Sequence, residues 1–295
     1  MSGTTPEPDA PEIQSRARET VRRAARETDP DRAVAALLAP AAVRDDLLSL
    51  AAFAGEIARI PHLVKEPMMG EIRLQWWRDA LPGLAEGAST TGNPIADALG
   101  GAIRRHALPL SLLLGVLEAR AFDLYGDPMP DEQAFRGYLG KTEGALIEAA
   151  MRIVGGWPPG TAAAQAMAAG RAIGLSRVLT GLPFALSRGR CALPASRLQA
   201  AGVVPADLAA VPVPASARAV LARFSADARA DLAIVRAGWR RMPRRQRTAL
   251  LPVALVEPQL KAFEEGSHHP GRDVVAILPL SRVWGLWRAH VLGRL

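Results

Sequence analysis

The chain has 295 residues, of which 49% are hydrophobic, and its 36 basic against 29 acidic residues leave a net charge of +7. That balance favours an anionic partner, but no zinc finger, aromatic-studded basic strand or Lys/Arg block marks a nucleic-acid module, so nucleic acid is excluded. One cysteine, Cys191, excludes a disulfide framework and a cysteine-based metal site and suits a reducing compartment, and no secretory pattern opens the chain, so a cytoplasmic location is expected.

Ala and Leu dominate the apolar residues and alternating β-branched runs are absent, which predicts an all-α fold. Residues 1–11 are rich in Pro and Thr and read as disordered; residues 12–28 alternate Arg and Glu and read as a loosely docked helix. The two together make a tail over 1–30, with a single domain expected over 31–295. Asp29-Pro30-Asp31 is a helix start of cap, proline and first-turn acid. After Pro40 an apolar helix runs to Ile60, ended by Pro61, and carries Phe53 and Glu56.

The tryptophan helix follows, from Pro67 through Gly70-Glu71-Ile72-Arg73-Leu74-Gln75-Trp76-Trp77-Arg78-Asp79-Ala80-Leu81. At helical spacing Met69, Ile72, Trp76 and Ala80 form one apolar stripe and Leu74, Trp77, Leu81 and Leu84 a second. The pattern predicts burial on more than one side, leaving Glu71, Gln75, Arg78 and Asp79 on a strip that pairs internally or faces a cavity. Arg73 lies within reach of a cation–π contact with the tryptophans.

Further helices are expected from Asn93-Pro94 to His106, over 110–125, over 131–154, over 161–187 with a kink at Pro183, over 215–241, in short pieces over 247–265, and over 274–295 interrupted at Pro279. Residues 153–170 carry no charge but are too poor in large apolar side chains to span a bilayer. Asp227 and Asp231 share a helix face, a spacing that suits Mg²⁺, but the surrounding arginines favour an ion-paired surface. His268-His269 sits in a Gly/Ser/Pro loop without further metal-ligand spacing. The basic run at 240–247 reads first as a solvated corner and more sharply as a membrane-surface patch; Trp284, Trp287 and Arg288 near the C-terminus suit either core packing or a membrane interface.

Phe53 with Glu56, Glu66-Pro67, the Trp76-Trp77 block, Tyr138 to Gly144, Gly174-Leu175-Ser176 and Arg188-Gly189-Arg190-Cys191-Ala192-Leu193-Pro194 resemble the squalene/phytoene synthase family in order and spacing. The resemblance implies an isoprenoid-synthase-type helical bundle around a central cavity, in which two Asp-rich motifs bind Mg²⁺ and ionise a prenyl diphosphate. This chain departs at those motifs. The acidic positions of the first fall near Ala58, Arg59 and His62, and those of the second on Gly181, Phe184 and Ala185. No aspartate lies between Asp131 and Asp207, so no small shift restores the second motif. The departure resembles the branch that includes a mitochondrial complex I assembly factor with the synthase fold.

The expectation is therefore a non-catalytic protein without a metal or cofactor. It binds an isoprenoid or anionic lipid or a respiratory-complex partner, peripheral on the inner face of the membrane. Arg177, Arg188, Arg190 and Arg73 are the candidate anion-binding residues, and Glu56, Glu71, Gln75, Asp79 and Tyr138 the candidate polar residues of the cavity. On the long helix, Arg177 and Arg188 lie along a stripe of small residues; the plain alternative has the glycines permitting close packing and the arginines paired with Glu143 or Glu148. The second reading is a Mg²⁺-dependent prenyltransferase whose site combines Glu56 with Glu71, Asp79 or Glu143. A carrier or sensor of prenyl lipids is the third.

Overall fold

The computed structural model describes residues 10–87 and 90–295; the expectation of disorder for the first nine residues lies outside them. The described residues form a bundle of fifteen α-helices: α1 (Ala10–Thr28), α2 (Pro30–Leu37), α3 (Ala41–Leu63), α4 (Pro67–Glu86), α5 (Pro94–His106), α6 (Leu110–Ala121), α7 (Glu132–Leu139), α8 (Ala145–Gly155), α9 (Gly160–Thr180), α10 (Leu182–Ser187), α11 (Ala195–Ala200), α12 (Ala215–Trp239), α13 (Arg244–Leu250), α14 (Val256–Phe263) and α15 (Pro279–Leu292). Among the described residues there is no strand, and no helix is long and apolar enough to cross a membrane.

Several starts follow from local chemistry. Asp29, Asn93 and Asp131 each accept hydrogen bonds from the first free amides of α2, α5 and α7. Gly181 separates α9 from α10, whose Pro183 stands where a missing amide proton costs least. Pro61 does not end α3; it sits in its last turn, and the helix continues to Leu63. The N-terminal helix α1 is docked on α3, with Val21 and Ala25 buried and Thr28 against Gly55, so it belongs to the bundle rather than to a loose tail.

One stripe of the tryptophan helix is buried and the other is not. Leu74, Trp77, Leu81 and Leu84 pack into the core, where Trp77 meets Phe53 edge-on at 5.1 Å. Met69, Ile72 and Trp76 are exposed, because α3, α5 and α6 cover only one side of α4. Two apolar stripes therefore did not require two neighbours.

The helix α9 runs through the middle of the molecule, packed along α12 on one side and against the α7–α8 segment on the other. Between α7 and α8 the chain makes a π-helical turn, Gly140–Gly144. An α-helix would set residues five apart about 140° from each other. The wider turn instead brings Tyr138 and Glu143 to the same wall. Gly170 of α9 crosses so close that a β-carbon there would lie 2.6 Å from the Gly144 Cα.

Candidate functional site

The ends of α3 and α9, α10, the π turn, residues 122–127 and residues 190–192 enclose a cavity of about 160 Å³. Ala58 and His62 line it from α3, and Gly181, Phe184 and Ala185 line it from the opposite side. The positions counted for the two acidic motifs thus share one cavity, apart from Arg59, which faces a separate groove between α1, α3 and α4. The His62 and Phe184 rings are in contact, edge to face, with centroids 3.9 Å apart.

Its floor is a buried ionic network. Asp29 accepts from Arg32 at 2.6 Å and from Arg177 at 2.8 Å. Glu143 accepts from Arg32 at 2.5 Å and from Arg177 at 3.2 Å, with Arg120 at 3.6 Å. Arg120 also donates to Asp123 at 3.0 Å and to the Tyr138 hydroxyl at 2.8 Å, and that hydroxyl donates to Asp123 at 3.0 Å. Asp29, Asp123 and Glu143 balance Arg32, Arg120 and Arg177 charge for charge. Burial pushes Asp29 and Glu143 towards the neutral form, but Arg177 and Arg32 outweigh it and hold both carboxyls below their ordinary values. Burial, and the neighbouring Asp123, push the Tyr138 phenol up despite Arg120. Asp31, the next carboxylate on α2, is raised by burial and pairs with Arg282 of α15 at 2.7 Å.

The mouth is different. Arg190 donates to the Asp123 and Leu124 carbonyl oxygens at 2.7 and 3.0 Å. Arg188 donates to the Pro61 and His62 carbonyl oxygens and lies over the Phe184 ring at 4.5 Å. Neither has a carboxylate partner among the described residues, so the mouth carries positive charge. Desolvation, then Arg188, holds the His62 imidazole below its usual value.

The predicted residues therefore divide. Tyr138, Arg177 and Arg190 line the cavity, and Arg188 braces its rim. Arg177 is engaged by Asp29 and Glu143, the packing alternative for the small-residue stripe, and does not stand ready for an anion. Glu56 and Arg73 instead face the groove beside α1, where burial raises Glu56 despite Arg59 and Arg73; Arg73 makes no cation–π contact among the described residues. Glu71, Gln75 and Asp79 are tied together with Arg78 on the outside of α4, with Tyr125 donating to Glu71. Glu56, Glu71, Asp79 and Glu143 do not converge, which removes the atypical metal site built from them. Asp227 and Asp231 pair with Arg197 and Arg171, and the His269 ring is held by the Ala210 carbonyl.

A divalent cation of the kind the family implies does not fit this donor set. Asp123, Asp127 and Glu143 are the carboxylates that line the cavity, and Asp123 and Glu143 are already engaged by arginines, which leaves Asp127 alone. No three His, Cys, Asp or Glu side chains converge among the described residues. Asp29, Arg32, Arg120 and Asp123 escape a sequence reading as site residues; the one signal is three charged residues, Asp29, Asp31 and Arg32, at the start of an otherwise Ala-rich buried helix.

The profile of squalene/phytoene synthase matches residues 25–282. Two mammalian proteins named NADH dehydrogenase (ubiquinone) complex I, assembly factor 6, are similar over most of the chain. The one from Bos taurus is 27% identical and the one from Homo sapiens 24%, each over 267 residues, 89% of this chain and 80% of its own length. The crystal structure of squalene synthase HpnC from Alicyclobacillus acidocaldarius has a TM-score of 0.74 at 21% identity, covering 88% of this chain and 97% of its own. A dehydrosqualene synthase in complex with ligand has a TM-score of 0.80 at 14% identity, covering 95% and 97%. At these identities the solved structures share the fold. The match over most of its length makes this chain a member of the squalene/phytoene synthase family.

Proposed function

We propose that the protein is a non-catalytic member of this family that works by binding, in the assembly of a membrane respiratory complex, on the inner face of the membrane. The observation that carries the reading is the cavity wall: Ala58, His62, Gly181, Phe184 and Ala185 hold no carboxylate, and the acids of the floor are neutralised by arginine. Ionising a prenyl diphosphate needs a metal held against it by several protein oxygens; beyond the arginine-paired acids the lining offers only Asp127, and no three such side chains converge among the described residues. The role in assembly is supported by the mammalian relatives.

The ligand class follows from charge and size. Arg190 and Arg188 at the mouth, both bonded only to carbonyls, suit a phosphate or diphosphate group. A volume of about 160 Å³ takes a group on the order of benzene in size. The cavity therefore receives the head of an isoprenoid phosphate or anionic lipid, while the tail leaves through the mouth. Three measurements test this. Native mass spectrometry of the purified protein is expected to reveal a co-purifying phospholipid or prenyl phosphate, lost in Arg190→Ala. Inorganic diphosphate is expected to raise the His62 pKa in an NMR titration. Farnesyl diphosphate with Mg²⁺ is expected to release no diphosphate. Release at an enzymatic rate would restore the prenyltransferase reading; an unmoved His62 with no bound lipid would remove the ligand.

A further inference from the structure

The C-terminal helix α15 has one buried side and one bare one. Leu286 and Ala289 pack inward against Leu255 and its neighbours. On the opposite side Leu280, Trp284, Trp287 and Val291 fall within about 60° of one another around the axis. They are 84%, 59%, 38% and 45% exposed, and the two indoles stack at 5.1 Å. Val274 and Leu278, just before the helix, are exposed as well. Leaving this much apolar surface in water is costly for a folded chain and marks a contact face.

Charge identifies what it contacts. Residues 274–295 contain Arg282, Arg288 and Arg294 and no Asp or Glu, and residues 240–256 contain five arginines and no Asp or Glu. The fold brings these segments together: α13 packs on α15, Gly293 lies against the Arg247 guanidinium, and Arg244 and Arg247 help hold the His290 imidazole below its usual value after desolvation. Arg288 therefore borders the apolar stripe on one side, and Arg244 with Arg247 stand beyond His290 on the other. None of Arg244, Arg247 and Arg288 has a carboxylate partner among the described residues. A protein partner would have to supply several buried acids on both flanks of an apolar ridge. An anionic bilayer supplies the same arrangement everywhere, with phosphates at the level of the arginines and acyl chains beneath the indoles.

We infer that α15 and the adjoining Arg244–Arg247 corner form the face by which this protein docks on an anionic lipid surface. The inference deepens the proposed action at a membrane, but it does not depend on what fills the cavity. The full chain is floated with vesicles of phosphatidylcholine alone or of phosphatidylcholine mixed with phosphatidylglycerol. Wild type is expected to float with the mixed vesicles only. Arg244→Gln with Arg288→Gln lowers the partition coefficient about 30-fold, as removal of two basic residues near a charged bilayer implies. Trp284→Ser lowers it roughly tenfold. Circular dichroism melts, expected to match wild type, identify any variant that fails to fold, and Leu280→Ser at the most exposed position is then read in its place. Wild type that stays at the bottom of both gradients overturns the inference, as do folded variants that float undiminished. A dimer dissolved by Trp284→Ser in protein that does not float would make the face a subunit interface. Arg190→Ala and the His62 titration do not touch α15, so failure there leaves the docking face standing, and failure here leaves the cavity reading standing.

Discussion

Replacing Glu143 by alanine perturbs the centre of the ionic floor. Its side chain is 2% exposed and faces Arg32, Arg177 and Arg120. Its loss leaves three guanidinium groups sharing Asp29 and Asp123, with one positive charge uncompensated in the interior. Removing one partner of a buried ion pair costs about 3–5 kcal/mol. At about 2.1 cal/mol/K per residue, 295 residues give an unfolding entropy of about 0.6 kcal/mol/K, so Tm falls by about 5–8 °C. Scanning calorimetry measures this directly. The control is Glu118→Ala, which removes the partner of Lys141 at a site 70% exposed and is expected to shift Tm by less than about 1 °C. If the two variants melted alike, the network would contribute nothing beyond a surface pair and the reasoning would be refuted.

The same carboxyl predicts an acid profile. Glu143 is held below its ordinary 4.5 in the fold, so the unfolded chain protonates first as pH falls. Its stabilisation is whole above about pH 5 and disappears as pH drops through the folded value; Glu143→Gln should therefore be less stable than wild type at neutral pH and converge with it in acid, in urea titrations at each pH. Gly170→Ala places a β-carbon 2.6 Å from the Gly144 backbone, where no flexible side chain can yield. Overpacking of about 1–3 kcal/mol lowers Tm by about 2–5 °C, whereas Gly137→Ala, with open space around it, should not; equal Tm values would deny the close crossing. Burial pushes the Cys191 thiol up, so at pH 8 it should react with an aromatic disulfide far more slowly in the native protein than in urea, and equal rates would contradict its burial.

Local chemistry carried much of the fold. Caps and prolines at Asp29-Pro30, Asn93-Pro94 and Asp131 located helix starts, because those groups act on amides within one turn. What sequence could not supply was which neighbour covers which side. Trp76 and Trp77 are adjacent and chemically identical, yet one is 40% exposed and the other 2%, since helices far apart in the chain decide between them. The cavity was legible in part: counting back from Pro194 reaches Gly181, Phe184 and Ala185, which do line it. Its floor was not, because Asp29, Arg120 and Glu143 come from separate parts of the chain, and only their packing around Arg32 of α2 and Arg177 of α9 unites them. Glu56 misled for the same reason. An acid in an apolar run must face something polar, but the run does not say on which side the opening lies.

Five groups of the cavity floor are each held in one protonation state. Asp29 and Glu143 hold on to their negative charges, Arg120 and Arg177 are raised further, and the Tyr138 proton is bound more tightly than usual. The floor is therefore a constant electrical background across the physiological range, against which the wall's single imidazole is the one variable element. Of the groups that line the cavity, His62 is the one whose side-chain type exchanges a proton near neutral pH, and its lowered value leaves the ring neutral until the solution turns more acidic than a free imidazole requires.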